Sequence, residues 1–277
     1  MNSIKTKLKN MKTKHTLTPI KMQLSDDIEN NSYISDSIKN KIKKEHDSYL
    51  IKYNGKNQIY VNTNTPLTPH LIKTMIKIKK LMKNDKPLHI NLMLTNEKKK
   101  LDFNKTEIGP EEVNSGSTTY HNLNDNGIIT IWRNEELEKV LIHELLHALH
   151  TDSHELYNDR LSEGHTESLA TLLRILLHKK DHKKALRKEQ KHFEKQMNTI
   201  QYYINKKNPE INTHVQEYYF DKAHMLKYPN DFAKYAIKHK FKFNRDDYQE
   251  LLDKNRQRYG FVLTPKRGTR MNMSTMV

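Results

Sequence analysis

Cysteine is absent from the chain, which removes disulfides, thiolate metal ligands and cysteine nucleophiles together. His, Asp and Glu are left as the strong metal-ligand side chains. No run of about 18 apolar residues occurs, and even Leu172 to Leu177 is interrupted by Arg174, so no membrane span is expected. The basic N-terminus lacks the apolar core and small-residue cleavage site of a secretory signal, which makes cytoplasmic residence the expectation. Acidic residues are in deficit: 33 Asp and Glu stand against 49 Lys and Arg, a formal net charge of +16. With 35% hydrophobic and 30% charged residues among 277, part of the length is expected to lie outside any packed core.

The positive charge invites a nucleic-acid reading, because Lys and Arg that neutralise phosphates supply salt-dependent affinity. Lys heavily outnumbers Arg, however, and Asn and Ile are abundant, as AT-rich coding produces. Arg, the better fork for bases and phosphates, is scarce. Nucleic-acid binding is therefore expected to be weak and non-specific at most. The run HKKDHKKALRKEQKHFEKQ reads as a solvated helix with internal Lys/Glu pairs rather than an anionic docking face.

Residues 1–25 carry six lysines and no acid, with few apolar positions, and read as a disordered basic tail. Residues 26–265 read as one α+β domain. Its N-terminal α/β part extends to about 133, two helices occupy 134–178, and a helical C-terminal part follows over 179–265, before a loose tail at 266–277. In the first part, Ile34, Ile38 and Ile42 have helical spacing, KYNGKNQIYV has a hairpin turn at Asn54-Gly55, and a helix is predicted from Thr68 to Met82. LHINLML (88–94) and GIITIWR (127–133) are predicted strands, separated by a Gly/Ser/Asn-rich stretch around Asn114 to Thr119. Trp132 is expected to pack beneath the sheet. Asn134 is the expected N-cap of a helix over about 135–150, and Ser162 that of the next. Further helices are predicted at 196–205, 212–227 and 245–258.

The chemistry concentrates in HELLH. Its histidines, His143 and His147, lie four residues apart on a predicted helix, so both imidazoles leave one face about a turn apart and can reach a single ion. Zinc is the expected metal, one per chain. Glu144 lies about 100° around the helix, placed to touch a metal-bound water but not to join the ligands, as a general base must be. The flanks, VLIHELLHAL, are apolar, so the motif sits on a buried helix where unpartnered polar groups would be costly.

A catalytic zinc needs a third protein ligand and an open position. A glycine three residues after His147 and a ligand six after it would complete one known pattern, but His150 and Ser153 stand there. Asp152 and His154 are nearby candidates. The stronger one is SEGHTESLA (162–170), where Glu163 falls in the first helical turn, Gly164 permits close backbone approach, and Glu167 lies four residues on. Glu163 is assigned as the third ligand, with Glu167 holding a zinc histidine by its other ring nitrogen. The reverse assignment of these two acids stays open.

On these motifs the chain resembles the gluzincin metallopeptidases, in which HExxH is followed by a glutamate on a later helix. The fifteen residues between His147 and Glu163 are somewhat few for that class. NSGSTTY, IITIWRNEELEKVLIHELLHALH, EGHTESLA and THVQEYYFDKAHML are also similar to HExxH metallopeptidases encoded by giant DNA viruses, over roughly residues 110–235. The resemblance implies a zincin-like domain with a small mixed sheet, an active-site helix and a helical C-terminal half, hydrolysing peptide bonds of a peptide or protein substrate. It implies residence in a host cytoplasm or virion. It further implies that GIITIWR is the sheet edge along which a peptide lies extended, and that a Tyr or His outside the zinc motifs steadies the oxyanion, for which Tyr218, Tyr219, His214 and His224 are candidates. The alternatives are an inactive relative that keeps zinc for stability and a basic nucleic-acid-binding protein in which HELLH is incidental.

Overall fold

A computed structural model describes the chain except for residues 25–27, 44, 103, 106, 121–125, 152–159, 208–209, 212–213, 261 and 268–277. The elements in chain order begin with α1 (Asn2–Asn10), β1 (His15–Ile20), α2 (Asp36–Lys39), β2 (Asp47–Tyr53), β3 (Asn57–Thr63), α3 (Pro69–Leu81), β4 (Leu88–Thr95), β5 (Glu107–Ile108) and α4 (Pro110–Val113). They continue with β6 (Gly116–Thr119), β7 (Ile128–Arg133), α5 (Leu137–Ala148), α6 (Arg160–His178), α7 (His182–Lys207), β8 (Glu210–Ile211), α8 (Val215–Lys227), α9 (Pro229–Lys238) and α10 (Arg245–Tyr259). The protein is thus mixed α/β with a six-stranded mixed sheet. Among the described residues no helix is long and apolar enough to cross a membrane.

Contacts divide the chain into two compact units, where one domain over 26–265 was expected; the tail expected at 266–277 lies, from residue 268 on, outside the described residues. A sheet unit comprises Lys7–Lys98 and Asn114–Thr151, and a helical unit comprises Met1–Thr6, Lys99–Val113 and Asp152–Val277. The sheet runs β1-β2-β3-β4-β7-β6. The β2–β3 hairpin turns at Asn54 and Gly55, both with positive φ (49° and 76°), the conformation that Asn-Gly adopts at least cost. β3, β4 and β7 are parallel neighbours, and α3 makes the crossover from β3 to β4. Thr68 caps α3 by accepting from the Leu71 N–H at 3.3 Å. The core under this helix is made by Ile51, Ile59, Val61, Ile90, Leu92, Ile129 and Ile131, all essentially inaccessible.

Alternation along the strands turns the next residues to the opposite face, where a polar row crosses the sheet. Ser48 donates to Asn62 Oδ1 (2.8 Å), Asn62 to Asn91 Oδ1 (2.9 Å) and Asn91 to Thr130 Oγ1 (3.5 Å). Asn31 then donates to the Ser117 hydroxyl at 2.7 Å. Each of these groups is buried, and pairing removes the desolvation cost that unpartnered ones would carry. Beyond this row Ile28, Ile34, Ile38 and Ile42 pack on Met93 and Trp132, which places the tryptophan beneath the sheet as expected.

Four expectations are corrected here. The segment read as a disordered tail forms α1 and β1: Ile4 and Leu8, one turn apart, are buried, and β1 pairs with β2 from His15↔Tyr53 to Ile20↔Ser48. Backbone ladder bonds hold β1, and hydropathy does not report them. GIITIWR is not the sheet edge. As β7 it lies between β4 and β6, and the edge is β6, formed by the stretch read as a connection. Finally, α5 begins at Leu137 after Glu136 in a left-handed conformation (φ 61°). Asn134 instead bonds backward, its N–H donating to Thr95 O at 3.0 Å, because the chain must turn off β7 before the helix can start. Likewise α6 begins at Arg160, so Ser162 lies inside its first turn rather than at the cap.

In the helical unit, α6 packs along α8, and Gly164 is the point of closest approach: a Cβ there would collide with the Asp221 carboxylate. Asp221 in turn accepts from Arg256 at 3.1 Å. His165 is fully buried among the rings of Phe232, Tyr235, Phe243 and Tyr248. The charged run read as a solvated helix and the helix predicted at 196–205 are one element, α7, and α9 starts at Pro229, where proline's fixed φ suits the first turn. β5 and β8 form a separate parallel pair.

Candidate metal centre

The helix carrying HELLH, α5, follows β7 and packs against the sheet through Val140, Leu141, Ile142, Leu145 and Leu146, all buried. His143 and Glu144 are only 5% and 6% exposed. The Nε2 atoms of His143 and His147 approach to 3.0 Å, with the rings edge to face at 4.7 Å between centroids. A zinc tetrahedron with Zn–N of about 2.0–2.1 Å separates two nitrogen ligands by about 3.3 Å. The two lone-pair donors therefore converge at nearly the spacing a shared ion needs, and the donor set fits zinc.

Glu144 is held from the sheet edge. Along β6 and just past it, residues 116, 118 and 120 share one face, and all three meet α5. A Cβ on Gly116 would lie 2.9 Å from Val140 Cγ1 and 3.0 Å from both Glu144 Cγ and Oε1, so glycine is what lets strand and helix touch. Thr118 donates its hydroxyl to Glu144 Oε2 at 2.9 Å. Tyr120 donates to the His147 carbonyl at 2.6 Å, and its ring stacks on His150. None of Gly116, Thr118 and Tyr120 was singled out by the sequence pattern. The signal that could have found them is the small-residue, β-branched alternation of NSGSTTY.

The remaining candidates lie in the helical unit. Glu163 is half-buried in the first turn of α6. Glu167 is fully buried and accepts from Lys222 Nζ at 2.6 Å, an ion pair with both side chains at 0% exposure. The same ammonium lies 4.3 Å from the centre of the Phe193 ring and 5.3 Å from that of Tyr219. Tyr219 and Tyr218 are buried in α8. The His224 Nδ1–H donates to the Phe220 carbonyl, and burial lowers its pKa, with Arg256 acting in the same direction. His214 stands at the N-cap position of α8. Asp152 and His154 lie outside the described residues. A comparison with protein-family models, with curated proteins and with solved structures finds no match to the chain.

Proposed function

We propose that this protein is a zinc-dependent metallopeptidase in which His143 and His147 hold the metal and Glu144 is the general base. The observation that carries the reading is the 3.0 Å convergence of the two Nε2 atoms on a helix whose intervening glutamate is fixed by Thr118. Zinc bound there would supply a Lewis acid that polarises a carbonyl and brings the pKa of water toward neutrality. Glu144 takes a proton from the attacking water and passes it to the leaving amine. Thr118 occupies one carboxylate oxygen and so fixes which lone pairs remain for that transfer. The edge strand β6, in place of β7, offers its outer backbone groups to an extended peptide.

Glu163 is the proposed third ligand, on the strength of its spacing from HELLH and its place in the first turn of a helix. A zincin-like architecture, residence in a host cytoplasm or virion, and an oxyanion role for Tyr218, Tyr219 or His224 belong to the same proposal, supported by the motif resemblance. The test is zinc stoichiometry by elemental analysis together with digestion of an unbiased peptide library by the full chain. One zinc per chain with cleavage that a chelator abolishes is expected. Zinc without cleavage would leave the inactive, metal-stabilised alternative, and no zinc would remove both.

A further inference from the structure

Among the described residues, the face of the sheet that carries the polar row is covered at one end only. Moving from Ser48, Asn62 and Asn91 by one pleat, the register aligns Thr18, Leu50, Tyr60, His89, Ile128 and Thr119. All six are partly or fully exposed. One pleat further lie Thr16, Lys52 and Gln58, again open to solvent. At the centre Tyr60 and His89, side by side on β3 and β4, stack with centroids 4.7 Å apart and planes 10° from parallel. The Tyr60 hydroxyl donates to Gln58 Oε1 at 2.9 Å, which pins that ring across the strand. His89 is the more exposed of the pair.

Positive charge predominates around this surface. Lys52 lies on it, and the chain ends that the register brings to the same end of the sheet add Lys14 before β1, Lys56 in the β2–β3 turn and Lys86 before β4. All four are exposed, and among the described residues none has an acidic partner. No side chain of the exposed rows is a carboxylate, and among the described residues Asp85, beside Lys86, is an acid at this rim. Lysines usually stand beside acids in a solvated surface, so four of them with so little opposing charge, around an aromatic stack, ask for an anionic, stackable ligand.

We infer that this open end of the sheet binds single-stranded nucleic acid, with bases stacking on the Tyr60–His89 pair and the backbone following the rim of Lys14, Lys52, Lys56 and Lys86. Aromatic side chains on an exposed sheet take unstacked bases irrespective of sequence, whereas the paired bases of a duplex leave no ring face free to stack on them. Threonine and glutamine hydroxyl and amide groups beside the rings can bond to base edges. The site is in the sheet unit and uses none of the groups assigned to peptide hydrolysis, so it stands or falls independently of that reading.

The experiment is fluorescence anisotropy of the full chain with labelled oligo(dT) and oligo(U) of a dozen or so nucleotides, and with a DNA duplex of equal length, at about 50 and 200 mM salt. Single strands of either sugar should bind more tightly than the duplex and weaken with salt. His89→Ala and Tyr60→Leu, checked for an unchanged melting profile, should each lower affinity about tenfold, while Lys188→Ala in α7 should leave it unchanged. Equal affinity for duplex and single strands, or undiminished binding by both aromatic variants, would overturn the inference, since either result reduces binding to net charge. If Tyr60→Leu perturbs folding, the exposed His89→Ala decides alone.

Discussion

Thr118 and Glu144 are joined by a hydroxyl-to-carboxylate hydrogen bond of 2.9 Å between the edge strand and the HELLH helix, and the same hydroxyl lies 3.2 Å from the Glu144 carbonyl. A carboxylate held by one oxygen has fewer rotamers to lose and a defined free oxygen. Thr118 is therefore a positioning residue for the proposed base. Thr118→Val should retain zinc and lower kcat about 10 to 100-fold with little change in KM. Thr118→Ser should restore turnover. Parent kcat in Thr118→Val would detach the hydroxyl from the base.

Glu144 itself is expected to act on water and not on the metal. Glu144→Gln should bind zinc at the parent stoichiometry and lose about 10²- to 10⁴-fold in peptidase turnover. Loss of zinc from this variant would place the carboxylate among the ligands.

Gly116 tests the packing that brings Thr118 to Glu144. An added methyl would meet Val140 at 2.9 Å and the Glu144 side chain at 3.0 Å, closer than real Cβ contacts allow, and α5 is too well packed to retreat. Gly116→Ala should destabilise the protein by about 1–3 kcal/mol and lower turnover along with it, read by thermal melting beside the peptidase assay. A melting point equal to the parent would show that strand and helix can part without cost.

What the sequence made legible, and what it hid, follow from the forces involved. The strands β4 and β7, the Asn54-Gly55 turn, the helix starting near Thr68 and the HELLH helix all rest on apolar periodicity or local turn chemistry, which a one-dimensional pattern records. β1 and β6 rest on ladder bonds to neighbours, and their Thr, Ser, Pro and Gly residues carry no hydropathy signal. β6 mattered most, because it displaces β7 from the sheet edge and supplies Thr118. The Glu167–Lys222 pair spans 55 positions, and nothing near Glu167 announces a cation on a helix three elements on.

Lys79 offers a test by pH. Its ammonium is inaccessible, bonded to the Asn84 carbonyl at 3.0 Å and lying over the Tyr53 ring. Burial lowers its pKa from 10.5 to about 8, against a smaller opposing pull from Asp85. Between these two values the unfolded chain binds the extra proton, so this group makes stability rise with pH from about 8 toward 10. Below 8 both states are charged and the burial cost is felt in full. Tyr53, whose pKa burial raises, opposes the trend only above 10, where the unfolded phenol ionises first. Lys79→Met should raise stability at pH 7 by on the order of 1 kcal/mol and flatten the rise between 8 and 10. Denaturant melts at pH 7, 8 and 9.5 would show it, and a parent curve already flat over that window would refute the assignment.

The two acids of α6 are separable by their partners. Glu167 is bound to Lys222 at 2.6 Å with both groups fully buried, so removing either charge alone strands the other. Glu167→Ala should cost about 3–5 kcal/mol whatever its relation to the metal. The double variant Glu167→Met with Lys222→Met removes both charges and should recover most of that loss, since apolar groups of like volume replace such pairs at little cost. Zinc affinity by chelator competition in the double variant then reads Glu167 without the stability defect: parent-like affinity makes the glutamate structural, and a 10 to 100-fold loss assigns it to orienting a zinc histidine. Glu163 is half-buried, and Glu163→Ala should fold normally while releasing zinc far more readily than the parent. Should Glu163→Ala keep its zinc and the double variant lose it outright, the ligand is Glu167. Should both keep it, the third ligand belongs to the Asp152 to Glu155 segment, where Asp152→Ala and His154→Ala are the next variants to titrate.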